Sequence, residues 1–217
     1  MSCALPGDAV KQEIPLEPVK TNTPFDAETV LAAYRSGFFP MAESRRGPIS
    51  WFSPDPRAVI PLDTFNIPRS FRRQLRRPDL TCTINSAFHR VILACAERGP
   101  FSETWISDDI VRVYSDLHRR GVAHSVETWS NGILIGGLYG IALGGAYFGE
   151  SMFSRESNAS KFALVHLIER LRNRGFVLLD TQIINDHVRQ FGAVEISREK
   201  YLDLLTRALR QPTKFAD

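Results

Sequence analysis

Two polar residues in an apolar run of the sequence are candidates for chemistry. Asp180 and Gln182 lie two positions apart in VLLDTQII, residues 177–184, and on a β-strand they point to the same face. A carboxylate in such surroundings needs a partner or a role, because burying an unpaired charge is unfavourable. The alternative is a structural aspartate that bonds to a neighbouring loop or cap. We favour a catalytic or binding pair, because Gln182 and the Asn-Asp-His run at 185–187 accompany the carboxylate.

A second candidate carboxylate is Glu150, which lies between small and apolar residues in FGESMFSR, residues 148–155. One interpretation is an acid in the first turn of the helix that follows, where a negative charge is favourable. The other is a carboxylate that lines a pocket and recognises a cation or a substrate amine. The spacing does not choose between them. His124 and His187 stand alone in apolar surroundings, and we expect both to be structural.

The stretch RSFRRQLRR, residues 69–77, carries five arginines and no acidic residue. On a helix at roughly 100° per residue, the arginines fall within a sector about 140° wide, and Phe71 and Leu75 lie on the opposite side. Ordinary exposed helices mix both signs of charge, so we expect this surface to bind a polyanion. The alternative is a solvated face. The arginine ridge, as we call it, consists of Arg69, Arg72, Arg73, Arg76 and Arg77.

The bulk composition is that of an ordinary folded protein. The 217 residues correspond to one large domain or two small ones. Hydrophobic content of 43% and charged content of 24% are usual for a globular chain, and a net charge of +3 makes the arginine ridge a local feature. The three cysteines are scattered, so neither a disulfide framework nor a zinc site is expected. Signal-peptide and membrane-span patterns are absent, and we expect a protein of the reducing cytoplasm.

Hydrophobic periodicity and capping signals predict most of the elements. The predicted helices are 26–36, 85–97, 107–121, 158–173 and one that begins at Ser197. The predicted strands are 123–130 and 133–143, joined by an Asn-Gly turn, a third near 145–151 and a buried strand within 176–184. Residues 37–63 are expected to be ordered but irregular. From residue 80 onward the order gives a mixed α/β layer and matches the GNAT-type N-acyltransferase fold, although fold alone does not establish chemistry.

Longer motifs identify a family that the sequence resembles. The chain closely resembles the bacterial leucyl/phenylalanyl-tRNA–protein transferases in FFPM, WFSPDPRAVIPLD, TWIS, GVAHSVETW, GGLYGIALGGAYFGESMFSR, NASKFAL and LLDTQIINDHVRQFGAVEISREKYL. The resemblance covers roughly residues 25–205. WFSPDPR, GESMFSR and the D-x-Q-x-x-N-D-H block are long and specific, so chance does not explain them.

The resemblance implies a fold and an activity. The family is α/β (α+β), with a small N-terminal domain and a GNAT-like C-terminal domain. Here we expect a loose arm at 1–24, the small domain at 25–67 and the transferase domain, beginning with a basic helix, at 68–217. The family moves Leu, Phe or Met from aminoacyl-tRNA to the N-terminal amine of proteins that begin with Arg or Lys, which marks them for N-degron proteolysis. We expect a monomer that needs no cofactor or metal ion and does not associate with a membrane.

The resemblance also assigns roles to residues. In the catalytic set, Asp180 polarises Gln182, whose carbonyl oxygen orients the attacking amine, and Glu150 lies near the cationic first residue of the acceptor. Four arginines of the ridge match a cluster that holds the tRNA acceptor stem through its phosphates, and Arg72 lies on the same face. Trp105 matches an aromatic that stacks on the terminal adenosine. The expected aminoacyl pocket consists of Leu138, Tyr147, Met152, Leu164, Leu167, Leu179 and Asn185.

Two positions depart from the family pattern. The family often has Trp where this chain has Met41. Met41 must therefore supply an apolar contact to the tRNA end, or Trp51 or Phe52 must replace it. Tyr147 stands where Phe is familiar, which bears on the preference among Leu, Phe and Met.

Three other functions fit part of the sequence. An acetyl-CoA-dependent N-acyltransferase shares the fold but needs a pyrophosphate loop, which SRESNAS before the long helix matches poorly. A non-catalytic RNA-binding module explains the arginine ridge but not Asp180 and Gln182. A leucyl-transferase that acts on N-terminal Asp or Glu is the closest alternative. Glu150 argues against it, because a carboxylate repels an acidic acceptor.

Overall fold

A computed structural model describes residues 18–19, 23–97 and 104–216. The expected loose arm at 1–24 lies largely outside these residues. The helices are α1 Ala27–Arg35, α2 Arg69–Arg72, α3 Phe88–Ala96, α4 Asp108–Arg119, α5 Ala159–Asn173, α6 Asp186–Arg189 and α7 Arg198–Leu209, with a 3₁₀ turn at Gln74–Arg76. The strands are β1 Phe39–Ala42, β2 Ile49–Phe52, β3 Arg57–Ile60, β4 Leu80–Ile84, β5 Ala123–Ser130, β6 Ile133–Leu143, β7 Ala146–Ser154, β8 Leu178–Gln182 and β9 Val194–Ile196.

Seven strands form one mixed sheet, in the order β4-β5-β6-β7-β8-β3-β9. Neighbouring strands are antiparallel except β7 and β8, which are parallel and are joined by α5. A separate small sheet pairs β1 with β2. The predicted α/β class is therefore confirmed. Within the described ranges, no helix is long and apolar enough to span a bilayer.

The large sheet separates two hydrophobic cores. Successive residues of β6 enter different cores, because side chains alternate between the faces of a strand. Leu138 belongs to the core that contains the apolar residues of α5, whereas Tyr139 packs against α3 and α4. Gly136 lets α5 begin close to β6, since a Cβ there would lie 2.5 Å from the Cβ of Ala159. Both faces of the sheet are thus covered.

The predicted capping signals of α1 and α4 are confirmed. The Asp26 carboxylate accepts a hydrogen bond from the Thr29 amide at 2.8 Å. The Ser107 hydroxyl oxygen accepts one from the Ile110 amide at 3.2 Å. Gly121, with a φ of +72°, ends α4 in the left-handed conformation that glycine tolerates.

The hairpin of β5 and β6 has the predicted bounds. Asn131 and Gly132 have φ values of +49° and +78°, as a tight hairpin turn requires of its two central residues. The strand predicted near 145–151 continues to Ser154 as β7. The buried strand predicted within 176–184 is β8.

The arginine ridge is not the single helix that its spacing predicts. Helix α2 ends after four residues, and the 3₁₀ turn follows it. Pro68, which precedes α2, provides no side-chain cap, and like charges three and four residues apart repel each other, so a longer helix is not favoured. All five arginines are exposed. Phe71 is buried, and Leu75 packs against the core that contains α5.

The hydrophobic pattern does not predict five short strands, β1, β2, β3, β4 and β9. Residues 37–63, predicted to be irregular, contain the first three of them. Strand β3 is hydrogen-bonded between β8 and β9 in the large sheet. The domain division at residue 67 stays a prediction, and it leaves one strand of the large sheet on its N-terminal side.

Candidate active site

A cavity opens where strands β7 and β8 part. Their parallel pairing ends at Phe148 and Asp180, whereas β7 continues to pair with β6 as far as Ser154. The opening forms a cavity of about 630 Å³, the β7–β8 cavity, which residues of β1, β6, β7, α5, β8 and α6 line together with Trp105. The described residues include no cluster of side chains that could hold a metal ion.

Two β-bulges present side chains to this cavity. The register of β6 with β7 shifts after Tyr139, which leaves Glu150 of β7 without a partner residue. The register of β3 with β8 shifts after Ala58, which leaves Thr181 of β8 unpaired. A bulge re-aims the side chains around it and is common beside active sites. The fold thus places the predicted catalytic segments, around Glu150 and Gln182, on neighbouring strands, and Glu150 is not an acid of the helix that follows.

Glu150 is buried among hydroxyl and amide donors. Its Oε1 atom accepts hydrogen bonds from the Tyr34 hydroxyl at 2.6 Å and from the Gln182 side-chain amide at 3.0 Å. Its Oε2 atom accepts one from the Tyr114 hydroxyl at 3.1 Å. The two tyrosine hydroxyls lie 2.6 Å apart. Within the described part of the chain, no cation forms an ion pair with Glu150.

The protonation of Glu150 follows from this burial. Removal from water raises the pKa of Glu150 to about 7, although the hydrogen bonds from Tyr34 and Tyr114 act to lower it. The number of available protons agrees with this direction. Two tyrosine hydrogens cannot serve all three oxygen–oxygen contacts. When the carboxyl group is protonated it can donate to one tyrosine, and that tyrosine can then donate to the other. With a pKa of about 7, Glu150 changes its protonation state near neutral pH, as many active-site acids do.

Asp180 is held by an ion pair instead. The Arg57 guanidinium donates to both carboxylate oxygens, at 3.0 and 2.7 Å, and the Tyr201 hydroxyl donates to Oδ2 at 2.8 Å. Both Arg57 and Asp180 are fully buried. Arg57 also donates to the Gly37 carbonyl at 3.0 Å, and its guanidinium lies over the rings of Phe39 and Tyr201. Asp180 is therefore a fully buried carboxylate whose charge is paired within the protein.

Gln182 occupies a strained backbone position. Its φ is +62°, which is costly for a residue other than glycine, and the Ile183 amide donates to the Thr181 carbonyl across it at 2.7 Å. The Asp180 carboxylate accepts the backbone amide of Gln182 at 2.8 Å. The contact predicted between the side chains of Asp180 and Gln182 is thus not the one observed. Asp180 fixes the backbone of Gln182, and Glu150 accepts its side-chain amide.

Most residues of the expected aminoacyl pocket and tRNA-end contact line the β7–β8 cavity. They are Met41, Trp105, Leu138, Met152, Leu164, Leu167, Leu179 and Asn185. The four leucines are 1–3% exposed, so they form a buried apolar wall of the cavity. Asn185 also caps α6, because its side chain accepts a hydrogen bond from the Val188 amide at 3.0 Å.

Tyr147 and Trp51 do not line this cavity. Tyr147 is fully buried, with its ring 5.1 Å from that of Phe215 and its hydroxyl donating to the His124 carbonyl at 3.3 Å. Trp51 is buried in β2, with its ring 5.8 Å from that of Phe25. The structure therefore does not bring these two residues to the positions that the resemblance implies for them.

The arginine ridge lies beside the start of α5. The Asn158 side-chain amide donates to the Gln74 side chain at 2.9 Å. Arg77 pairs with Asp79 and, at 3.9 Å, with Glu156. Helix α5 also lines the β7–β8 cavity, so one helix connects the ridge with the cavity. Over the residues that the structure describes, the ridge arginines without a carboxylate partner are Arg69, Arg72, Arg73 and Arg76.

Sequence reasoning missed four residues that hold the two carboxylates. The pattern assigns Tyr34 only to the apolar face of α1, and nothing in it separates Tyr114 or Tyr201 from ordinary core aromatics. Arg57 lies in the WFSPDPR motif, which is the one signal that points to this position. Its burial depends on partners far along the chain, so the motif alone could not show what it binds.

Comparison with known proteins gives one consistent result. Residues 59–206 match the family model described as leucyl/phenylalanyl-tRNA protein transferase, and residues 23–55 match the model of its N-terminal domain. Proteins named leucyl/phenylalanyl-tRNA–protein transferase from Chlorobaculum tepidum and Chlorobaculum parvum are 51% and 53% identical over 189 residues, which is 87% of this chain and 97% of each relative. The protein of that name from Gloeobacter violaceus is 52% identical over 188 residues, 87% of this chain and 96% of the relative.

Solved structures are more distant. The crystal structure of FemX superposes with a TM-score of 0.46 and 12% identity over 82% of this chain and 70% of that chain. The structure of L-PGS from Bacillus licheniformis gives a TM-score of 0.41 and 14% identity over 74% of this chain and 52% of that chain. Likeness at this level carries no information about the reaction.

Proposed function

Because this chain belongs to the leucyl/phenylalanyl-tRNA protein transferase family, and is therefore an aminoacyltransferase, we propose that it moves Leu, Phe or Met from aminoacyl-tRNA to proteins that begin with Arg or Lys. The new N-terminal residue would then mark those proteins for proteolysis. The observation that carries the choice of acceptor is Glu150. Among the described lining residues it is the only carboxylate of the β7–β8 cavity, and it has no cationic partner of its own.

An acceptor that begins with a cation complements this carboxylate. Opposite charges attract strongly where water is excluded, so Glu150 favours Arg or Lys and disfavours Asp or Glu. The Oε2 atom of Glu150 accepts only the Tyr114 hydroxyl, at 3.1 Å, and a carboxylate oxygen has capacity for more than one donor. The Oε2 atom therefore has a lone pair left for a guanidinium or ammonium donor.

The proposed reaction exchanges one bond for another. A C–N bond forms between the aminoacyl carbonyl carbon and the N-terminal nitrogen of the acceptor, and the ester C–O bond to the terminal ribose of the tRNA breaks. The amine loses a proton, and the ribose oxygen gains one. Since Glu150 engages the Nε2 atom of Gln182 at 3.0 Å, the Oε1 atom of Gln182 is the one that accepts a hydrogen bond from the amine and aligns it. Asp180 and Arg57 contribute by holding the Gln182 backbone.

The donor tRNA is proposed to lie along the arginine ridge. Arginines without carboxylate partners are available to phosphates, which position a nucleic acid without reading its sequence. From the ridge, α5 leads to the cavity. Met41 and Trp105 line the cavity and are only partly buried, so they are the proposed apolar and stacking contacts for the terminal adenosine. The leucines of the cavity would receive the aminoacyl side chain.

Transfer of radiolabelled leucine from charged tRNA tests this proposal. The acceptors are three peptides that differ only in their first residue, which is Arg, Lys or Asp. We expect transfer to the Arg and Lys peptides and none to the Asp peptide. Transfer to the Asp peptide alone would support the aminoacyl transfer reaction but overturn the assignment of Arg and Lys as the acceptor residues. Bound tRNA without transfer to any peptide would overturn the enzymatic proposal and favour an RNA-binding module.

A further inference from the structure

Three polar atoms around the β7–β8 cavity have no hydrogen-bond partner in the protein. They are the hydroxyl oxygens of Tyr139 and Thr181 and the Nε2 atom of His187, and all three are shut off from solvent. Over the described residues, Ser50 Oγ is the one other buried side-chain atom of this kind, and Ser50 does not line the cavity. Unpaired buried polar atoms are destabilising and rare. Their concentration around one cavity therefore requires an explanation beyond folding.

The two hydroxyls flank the residues of the proposed reaction. Tyr139 lies at the bulge that presents Glu150, and its ring packs edge-on against that of Tyr114 at 5.8 Å. Thr181 is the extra residue of the second bulge, directly before Gln182. The β6–β7 bulge and the β3–β8 bulge are thus each accompanied by one hydroxyl, that of Tyr139 on β6 and that of Thr181 on β8, whose hydrogen has no acceptor among the described residues.

We propose that the hydroxyls of Tyr139 and Thr181 hydrogen-bond the polar groups that every aminoacyl ester shares, its carbonyl oxygen and its α-amino group. This inference rests on the proposed function. The leucines of the cavity match only the side chain of the donor, and the carbonyl and amino groups that enter with it need polar partners. A hydroxyl serves either group, because it can donate or accept. The apolar wall then selects the side chain, while the two hydroxyls hold the constant part of the donor.

Two variants of matched shape test the inference, Tyr139→Phe and Thr181→Val. Each removes a hydroxyl that has no partner in the free protein, so we expect a higher melting temperature. We also expect kcat/KM for transfer to fall about three- to tenfold. The loss should be equal for Leu-tRNA and Phe-tRNA, because the contacted groups are common to both donors. A purely structural hydroxyl would not combine higher stability with lower activity.

Two further variants serve as controls. Ser50→Ala removes the unpaired hydroxyl away from the cavity and should raise stability without changing kcat/KM. Thr181→Ser keeps the hydroxyl and should keep most of the activity. Unchanged kinetics in both Tyr139→Phe and Thr181→Val would overturn the inference, as would a lower melting temperature in both. A loss that differs strongly between the two donors would assign the hydroxyls to side-chain selection instead. Failure of the unmodified protein to transfer either amino acid would refute the proposed function itself.

Discussion

Glu150 and Asp180 are both carboxylates buried beside one cavity, and their surroundings are opposite. Asp180 faces a buried guanidinium that donates to both of its oxygens, whereas Glu150 receives only hydroxyl and amide donors. Burial therefore raises the pKa of Glu150 to about 7. Asp180, whose charge is paired with Arg57, serves to hold the structure. Glu150 has no such partner among the described residues, so its charge is available to a substrate.

The same contrast appears among the arginines at the surface. On α4, Arg112 and Arg119 pair with acids one turn earlier on the helix. Arg120, which directly follows α4, pairs with Asp116 and with Glu28 of α1. Most arginines of the ridge have no carboxylate partner in the described structure. Both segments are rich in arginine, but only the ridge offers uncompensated positive charge to a polyanion.

The largest effect on folding is expected at Asp180. Asp180→Ala leaves Arg57 buried without its counterion, which should lower the free energy of unfolding by about 3–5 kcal/mol. Asp203→Ala is the matched control, because it breaks an exposed pair with Arg207 that should contribute about 0–1 kcal/mol. Urea denaturation of both variants measures the difference. Equal losses of unfolding free energy in the two variants would show that the buried Arg57–Asp180 pair contributes no more to stability than an exposed pair.

Glu150 should make stability depend on pH in the direction opposite to an ordinary paired acid. Its pKa of about 7 in the folded protein lies above its usual value of 4.5. The folded state therefore holds the proton more tightly, and this contribution is complete below pH 4.5 and is lost as the pH rises through 7. It amounts to about 3 kcal/mol. Glu150→Gln should abolish this part of the change in unfolding free energy between pH 5 and pH 8. An identical pH dependence in both proteins would contradict the assignment.

Tyr34→Phe should have a smaller effect on folding, about 1–2 kcal/mol, and a distinct effect on activity. The Tyr34 hydrogen bond lowers the pKa of Glu150, so its loss should raise that pKa further. If ionised Glu150 binds the cationic acceptor, the acidic limb of the pH–rate profile moves to higher pH. Tyr147→Phe is the control, because the Tyr147 hydroxyl donates to the His124 carbonyl and not to Glu150. A shift of equal size in the control would refute this link.

The smallest effect on folding is expected at the arginine ridge. Replacing Arg69, Arg73 and Arg76 together by Gln should leave the melting temperature nearly unchanged, because these side chains are exposed. It should weaken tRNA binding and reduce the slope of log K against log salt by about 0.7–0.9 for each phosphate that is no longer neutralised. The control replaces Arg112, Arg119 and Arg207, which already have acidic partners. If the salt dependence of tRNA binding changes as much in the control, the arginine ridge is not the tRNA-binding surface.

The sequence predicts well those elements whose signals are local. The caps at Asp26 and Ser107 and the Asn-Gly turn need only neighbours in the chain, and the structure contains all three. Strands β3 and β9 consist of four and three residues and exist because distant strands pair with them. The helix predicted for the arginine ridge fails for a local reason, since α2 lacks a side-chain cap and its charges repel.

In the candidate site, too, some residues can be predicted from the sequence and others cannot. Glu150 and Gln182 stand out as polar residues in apolar strands, and the structure places both at one cavity. The tyrosines that hold Glu150 resemble core aromatics, because a pattern of hydrophobicity cannot show where a hydroxyl points. The Arg57–Asp180 pair joins positions 123 residues apart, so neither residue reveals its partner. The two bulges are likewise products of strand register, which single residues do not determine.

The buried position of Arg57 has a consequence for the order in which the protein becomes competent during its synthesis. The groups to which Arg57 donates hydrogen bonds lie 20 positions before it and 123 and 144 positions after it. The segment of the arginine ridge packs on the core that contains α5 and contacts Asn158, so its supports in α5 and at Asn158 are synthesised before Tyr201. The reaction centre depends on a later part of the chain than the surface proposed to hold nucleic acid, because Asp180 acquires its hydroxyl donor only once Tyr201 has been synthesised.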